Sequence, residues 1–309
     1  MDELARQLAE LAGNSPVQLL NDPFPEPIGI RLYLKRDDLL HPLVSGNKWR
    51  KLKYNLLEAQ KQNLNTLLTF GGAYSNHLYA TAAAGQVFGF KTIGIVRGDE
   101  LATSARNPTL AFCESCGMTL YFVSRAEYRQ KNDPDFQADL INRFGPCYVI
   151  PEGGTNELAI CGTTEIIPEL IAQLSRIPDY VCCPVGTGGT VAGLARSAPK
   201  ETVVLGFVVL KGLDLAKLEP EPIEAGRAHA RLRQVDYPFG GYAKTTPELI
   251  AFIQAFERKT GVKLEQIYTG KMLYGIYDLA RQGYFPNDAT VVAVHTGGLQ
   301  GRSKELDVD

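Results

Sequence analysis

Tyr180-Val-Cys-Cys-Pro-Val-Gly-Thr-Gly-Gly-Thr-Val-Ala-Gly193 runs from an apolar segment into a glycine-rich turn and on into small residues of helical character. Its first six residues are apolar at consecutive rather than alternate positions, the mark of a strand covered on both faces. The segment at 202–209, TVVLGFVVL without its last residue, reads the same way. Further strand-like runs fall at 31–35, 66–70, 92–96, 119–123, 147–150 and 290–296. Between them lie helical patterns at 48–62, 75–88, 103–116, 163–174, 190–197, 247–260 and 271–282. Alternation of this kind predicts an α/β fold with mostly parallel sheets flanked by helices. Only 211–234, charged and Pro-containing, lacks a pattern and reads as an insertion or a lid.

The chain of 309 residues suggests two domains at roughly 150 residues each. With 32 Lys and Arg against 34 Asp and Glu, no global field favours nucleic acid or an acidic membrane. No apolar run approaches the roughly 18 residues that span a bilayer, and the start, MDELARQLAELAG, is an acidic amphipathic helix pattern. A soluble, cytoplasmic protein is expected. Six cysteines, at 113, 116, 147, 161, 182 and 183, read as reduced in a chain too large to need disulfide staples, with Cys182 and Cys183 as packed hydrophobes. Cys113 and Cys116 have half the spacing of a zinc site but no second pair, so no metal is expected.

Chemistry concentrates in a few segments. In Ser45-Gly-Asn-Lys-Trp-Arg-Lys-Leu-Lys53, Ser45 or Asn47 can cap a helix. Trp49, Leu52, Leu56 and Ala59 form its apolar stripe, and Lys48 and Lys51, three apart, share the neighbouring face. Phe70-Gly-Gly-Ala-Tyr-Ser-Asn-His77 turns from strand to helix, with Ser75 and Asn76 at the helix start, a place suited to an anion. Gly186, Thr187, Gly188, Gly189 and Thr190 form a second such turn. It is not a dinucleotide fingerprint, because Val191 stands where the third glycine belongs, and no GxxxxGK[ST] loop occurs. Tyr268, Tyr242 and His295 lie near other strand or helix ends. Taken singly, each segment has a plain structural reading: a basic helix end, a capped turn, a boundary tyrosine, a satisfied imidazole.

Taken together, SGNKWRKLKY, GGAYSNH, VGTGGTVAG, GYAKTTPE, YTGKMLYG and HTGGLQG, in this order over nearly the whole chain, resemble one family. It is the pyridoxal-phosphate family of D-cysteine desulfhydrase and 1-aminocyclopropane-1-carboxylate deaminase, of the tryptophan-synthase-β-like fold (fold type II). The resemblance implies a large pyridoxal-phosphate-binding domain from 1–47 and 158–309, and a small domain from 48–157. It implies that Lys48 is the Schiff-base lysine, that Lys51 and Asn76 touch phosphate or ring, and that Gly186 to Thr190 cup the phosphate. Ser75, Tyr242 and Tyr268 match active-site positions, and Thr269 falls where the pyridine nitrogen finds its partner. A homodimer acting on a small amino acid is implied as well.

Two departures bear on the substrate. The deaminase branch has glutamate where Thr269 stands and glutamine where His77 stands, so both positions resemble the desulfhydrase branch. A hydroxyl supplies less charge to a ring nitrogen than a carboxylate does. The expected reaction is therefore α,β-elimination from D-cysteine to pyruvate, hydrogen sulfide and ammonia. Opening of the cyclopropane amino acid to 2-oxobutanoate and ammonia is the alternative, and a catalytically idle sensor a third. Ala73, Tyr74, Leu78, Tyr79 and Trp49 match neither branch.

Overall fold

The computed structural model describes residues 3–209, 213–215, 231–241 and 243–307. Among them are strands β1 (Val17–Leu19), β2 (Ile30–Lys35), β3 (Thr66–Gly71), β4 (Lys91–Arg97), β5 (Thr119–Val123), β6 (Tyr148–Ile150), β7 (Tyr180–Val185), β8 (Val203–Val208), β9 (Arg231–Asp236) and β10 (Ala289–Val294). The helices are α1 (Glu3–Glu10), α2 (Asn47–Lys61), α3 (Asn76–Phe88), α4 (Pro108–Ser115), α5 (Arg125–Tyr128), α6 (Pro134–Phe144), α7 (Glu157–Thr164), α8 (Ile166–Leu174), α9 (Gly189–Ser197), α10 (Pro247–Thr260) and α11 (Thr269–Arg281). None of these helices is long and apolar enough to cross a membrane.

The chain divides into two units, Met1–Gly13 with His41–Gly162, and Asn14–Leu40 with Thr163–Asp309. The sequence boundaries of 48 and 157 are displaced to His41 and Gly162, and the chain start joins the smaller unit. The cause is α1, whose Leu4 and Leu8 are buried and which packs against α2.

In the second unit six strands lie in the order β1-β2-β10-β7-β8-β9, parallel throughout except for the antiparallel β1–β2 pair. Consecutive residues of β7 feed opposite cores. Val181, Cys183 and Val185 pack with Ile166, Ile167 and Leu170 of α8 and Val191 and Leu194 of α9. Cys182 faces Leu249, Ile253 and Phe256 of α10 and Met272, Leu273 and Ile276 of α11. A strand buried on both sides cannot alternate in polarity, which is why this run reads as continuously apolar. Both cysteines are reduced and buried. The patternless stretch at 211–234 ends in β9, an edge strand whose Arg231, Arg233 and Asp236 blunt the sheet edge with charge. Leu215 is buried, and its N–H donates to Gln234 Oε1 at 2.9 Å; residues 210–212 and 216–230, most of the expected insertion, lie outside the described residues.

The first unit holds four parallel strands in the order β5-β4-β3-β6. Its two cores flank this sheet, one around Leu68, Phe70, Ile93 and Ile95 and one around Leu78, Ala82, Val96 and Leu110. The helix expected at 103–116 begins only at Pro108, because Asn107 caps it by accepting from Leu110 N at 2.9 Å. Helix α6, missed in the sequence, opens the same way, with Asp133 as cap and Pro134 first. The expected helix at 163–174 is instead the pair α7 and α8.

Helix α7 lies very close on α2: a Cβ added at Gly162 would sit 2.0 Å from the Arg50 carbonyl oxygen. Backbone cannot yield there as a side-chain tip would. Gly162→Ala is expected to lower stability by about 3 kcal/mol or more, seen as a lower urea midpoint with an unchanged m-value.

Candidate active site

In the first unit, α2 starts from Gly46, whose backbone (φ 64, ψ −145) suits glycine and which places no side-chain cap on the helix. The caps expected from Ser45 or Asn47 are thus replaced by a backbone turn. The apolar stripe of Trp49, Leu52, Leu56 and Ala59 is buried as expected, and Lys51 is buried beside it. Lys48 Nζ and Lys51 Nζ each donate to the Gly153 carbonyl oxygen at 3.1 Å, and Lys51 Nζ also donates to Thr155 Oγ1 at 3.0 Å. Desolvation brings the Lys48 amine down to about 8. At neutral pH roughly one Lys48 amine in ten carries a free lone pair. That is the condition a nucleophilic lysine needs.

The acceptor of both lysines comes from a turn that the sequence reading missed. Gly153 and Gly154 have φ near 70° (69 and 70), and a Cβ at Gly154 would lie 2.9 Å from His77 Cε1. The adjacent glycines after β6 were the available signal. His77 is buried and packed over this turn. Thr69 Oγ1 gives its only hydrogen to the Ile150 carbonyl at 2.8 Å, so it accepts from His77 Nε2 at 2.8 Å and the imidazole proton stands on Nε2. Burial, Lys48 and Lys51 together hold this imidazole neutral, its pKa well below the usual range.

Ser75 caps α3, its Oγ accepting from Leu78 N at 3.2 Å. Among the described residues its own hydrogen goes to no acceptor, so it remains a donor. Asn76 is the first residue of α3. Gly71 lies beneath them: a Cβ there would come within 2.7 Å of Ser75 Oγ.

In the second unit, β7 is followed by Gly186 and Thr187, and Gly188 (φ 87) turns the chain into α9 at Gly189 and Thr190. The first N–H groups of a helix have no intrahelical acceptor and attract an anion. Gly186 lets the Tyr268 ring lie against the turn; an added Cβ would be 3.2 Å from Tyr268 Cε1 and 3.3 Å from its hydroxyl oxygen. Tyr268 and Thr269 open α11, and their backbone is held by Glu265, a second residue missed in the sequence. Tyr242 lies outside the described residues. The turn just before it is anchored by buried Lys271, whose Nζ donates to the carbonyls of Pro238 and Gly241 at 2.9 Å each. His295 is the plain case: Nε2 meets the Lys263 carbonyl at 2.8 Å and Nδ1 accepts from Gly297 N at 3.2 Å.

Cys113 is buried and its thiol is pushed up to about 12, the opposite of a metal ligand. Among the described residues no group of three His, Cys, Asp or Glu is placed to hold a metal ion.

Two α/β units, a low-pKa lysine on a glycine-capped helix and a glycine turn at a helix N-terminus define a cofactor-dependent enzyme of the tryptophan-synthase-β-like fold. The chain belongs to the family of pyridoxal-phosphate dependent enzymes, whose model matches residues 8–297. A Thermotoga maritima protein provisionally named 1-aminocyclopropane-1-carboxylate deaminase is 33% identical, covering 93% of this chain and 94% of its own. An Arabidopsis thaliana protein named bifunctional D-cysteine desulfhydrase/1-aminocyclopropane-1-carboxylate deaminase, mitochondrial, is 30% identical over 91% of this chain and 75% of its own. The crystal structure of an ACC deaminase homologue superposes with a TM-score of 0.81 at 28% identity, covering 97% of this chain and 96% of that one.

Proposed function

We propose that the protein is a pyridoxal-phosphate-dependent lyase that removes the β-substituent of a small amino acid, D-cysteine first. D-cysteine and water would yield pyruvate, hydrogen sulfide and ammonia. The observation that carries this reading is the pair Lys48 and Lys51 on one carbonyl oxygen, with the Lys48 amine near 8. The low-pKa amine of Lys48 suits the cofactor's aldehyde, and a turn in which Gly186, Gly188 and Gly189 carry no side chains suits a phosphate. When bound, pyridoxal phosphate would join Lys48 through its aldehyde and supply an electron sink for charge developing at the substrate α-carbon.

The chain's own residues then have distinct tasks. Lys48, with its pKa close to neutrality, can take up and return a proton at Nζ. Lys51 and Asn76 would hold ring or phosphate oxygens, and Gly186, Thr187, Gly188, Gly189 and Thr190 the phosphate. Ser75 donates its uncommitted hydrogen to a substrate carboxylate. Tyr268 and Tyr242 would bound the substrate and orient it, and Thr269 would meet the ring nitrogen.

Borohydride reduction of the loaded protein, followed by peptide mapping, is expected to mark Lys48; an unmarked Lys48 removes the reading. Keto-acid release from D-cysteine, L-cysteine, D-serine and 1-aminocyclopropane-1-carboxylate selects the substrate. The last of these is the second reading, favoured by the bifunctional name of the Arabidopsis relative. Release of 2-oxobutanoate without pyruvate would replace the first reading by the second. A cytoplasmic homodimer completes the proposal, and sedimentation as a monomer would remove that part.

The amine also sets a pH dependence. Only unprotonated Lys48 attacks an aldehyde, so attachment accelerates as pH rises and levels off above a pKa of about 8. Between pH 7 and 9 the expected gain is about tenfold, against about a hundredfold for an ordinary lysine amine. Stopped-flow absorbance of the apoprotein mixed with pyridoxal phosphate measures it, and a rate still climbing steeply above pH 9 contradicts the assignment.

A further inference from the structure

Asn55 is a fully buried amide in the middle of α2, beside the apolar stripe of that helix. Asparagine is a poor helix former, so its place in a buried helical turn needs a reason outside the helix. Its Nδ2 donates to the Lys51 carbonyl at 2.7 Å and to Asn156 Oδ1 at 3.2 Å, while its Oδ1 accepts from Asn156 Nδ2 at 2.7 Å and from the Tyr148 hydroxyl at 3.2 Å. Every donor and acceptor position of this amide is filled. Backbone dictates how both amides are turned. The Lys51 carbonyl can only accept, and the Ala159 N–H, which reaches Asn156 Oδ1 at 2.9 Å where α7 opens, can only donate.

Lys48, Lys51 and Asn55 are spaced three and four apart and therefore share one face of α2. Their partners are Gly153 O, Thr155 Oγ1 and the Asn156 amide, all in the turn between β6 and α7. Two amines on one carbonyl oxygen repel each other whenever both are protonated, so the lysines do not hold that turn against α2 by themselves. The neutral amide pair carries no such penalty. Of the other titratable groups at this turn, His77 is neutral, and Glu152 is engaged by the Tyr128 hydroxyl at 2.8 Å and by Lys131 at 3.4 Å.

We propose that Asn55 is a positioning residue for the Lys48 amine: its reciprocal amide pair with Asn156 locks the 153–156 turn onto α2 in the register that sets the Gly153 carbonyl on both lysines. This deepens the functional reading above, in which Lys48 is the reactive amine. The same closure keeps water from Lys48 and so sustains the desolvation that brings its amine toward neutrality.

The test uses full-length apoprotein carrying lysine labelled with 13C at Cε, titrated by NMR, with the Lys48 signal assigned by its loss in Lys48→Ala. Asn55→Leu removes one amide at similar volume. Asn156→Ser removes the other and leaves a hydroxyl that can still cap α7. Each is expected to let water in and make Lys48 bind its proton about tenfold more tightly, which cuts its free-amine fraction at pH 7 about tenfold. Since the two amides act as one pair, the double variant should move Lys48 no further than the larger single effect. Circular dichroism melting reports folding, and if Asn55→Leu does not fold, Asn156→Ser decides. A Lys48 titration equal to wild type or shifted to weaker proton binding, even with a lowered melting temperature, makes the pair a stabilising contact only and overturns the proposal, as do single effects that add in the double variant. Failure of the wild type to take up pyridoxal phosphate at Lys48 would instead remove the functional reading and leave this titration standing.

Discussion

Lys48→Ala is expected to abolish covalent attachment of pyridoxal phosphate and to lower turnover by at least about 10⁴-fold, the range seen when a residue serves as both nucleophile and proton carrier. The neighbouring amine should not substitute for it. Lys51 is buried and tied to both Gly153 O and Thr155 Oγ1, whereas Lys48 has the Gly153 oxygen as its hydrogen-bond acceptor. An amine with fewer acceptors is easier to free for attack. The difference is visible by borohydride reduction of the variant and mass mapping of the α2 peptide. Attachment at Lys51 in Lys48→Ala would show that the shared carbonyl, and not the looser tether of Lys48, selects the nucleophile. Because Lys48 is only partly buried, stability should change little.

Lys51→Ala is expected to cost about 2–5 kcal/mol of stability, since it opens a cavity in α2 and strips acceptors of a buried donor. Lys51→Met separates the two causes. It keeps the volume and removes a buried charge, so its stability should lie within about 1.5 kcal/mol of wild type. Both variants should release the cofactor on gel filtration, because neither offers a cation beside Lys48. Urea midpoints and the retained cofactor absorbance report the two effects independently. A Met variant that holds the cofactor as tightly as wild type would confine Lys51 to a structural role.

The helical and strand periods reveal most of the elements, and the glycine turns at 71–72 and 186–189 are visible because a strand, a turn and a helix follow each other within a few residues. What escaped has the opposite character. The partner of Lys48 is Gly153, 105 residues away, and no spacing along the chain announces it. Glu265 looks like one more acidic residue ahead of a helix until its carboxylate is seen to collect three backbone N–H groups and a hydroxyl. Strand β9 was hidden because an edge strand need not be apolar, and the charges that protect it erase the pattern. The chain start was assigned to the larger unit because an amphipathic helix declares that it must pack, not against what.

The sequence by itself determined that this is an α/β protein with lysine and glycine motifs of a pyridoxal-phosphate enzyme, because apolar period and turn chemistry are local and act through neighbours in the chain. Tertiary structure alone decided which carbonyl the two lysines share, which nitrogen of His77 holds its proton, and that a buried carboxylate collects the N–H groups that lead into α11. These depend on desolvation and on hydrogen-bond partners that only folding brings within 3 Å or so of one another.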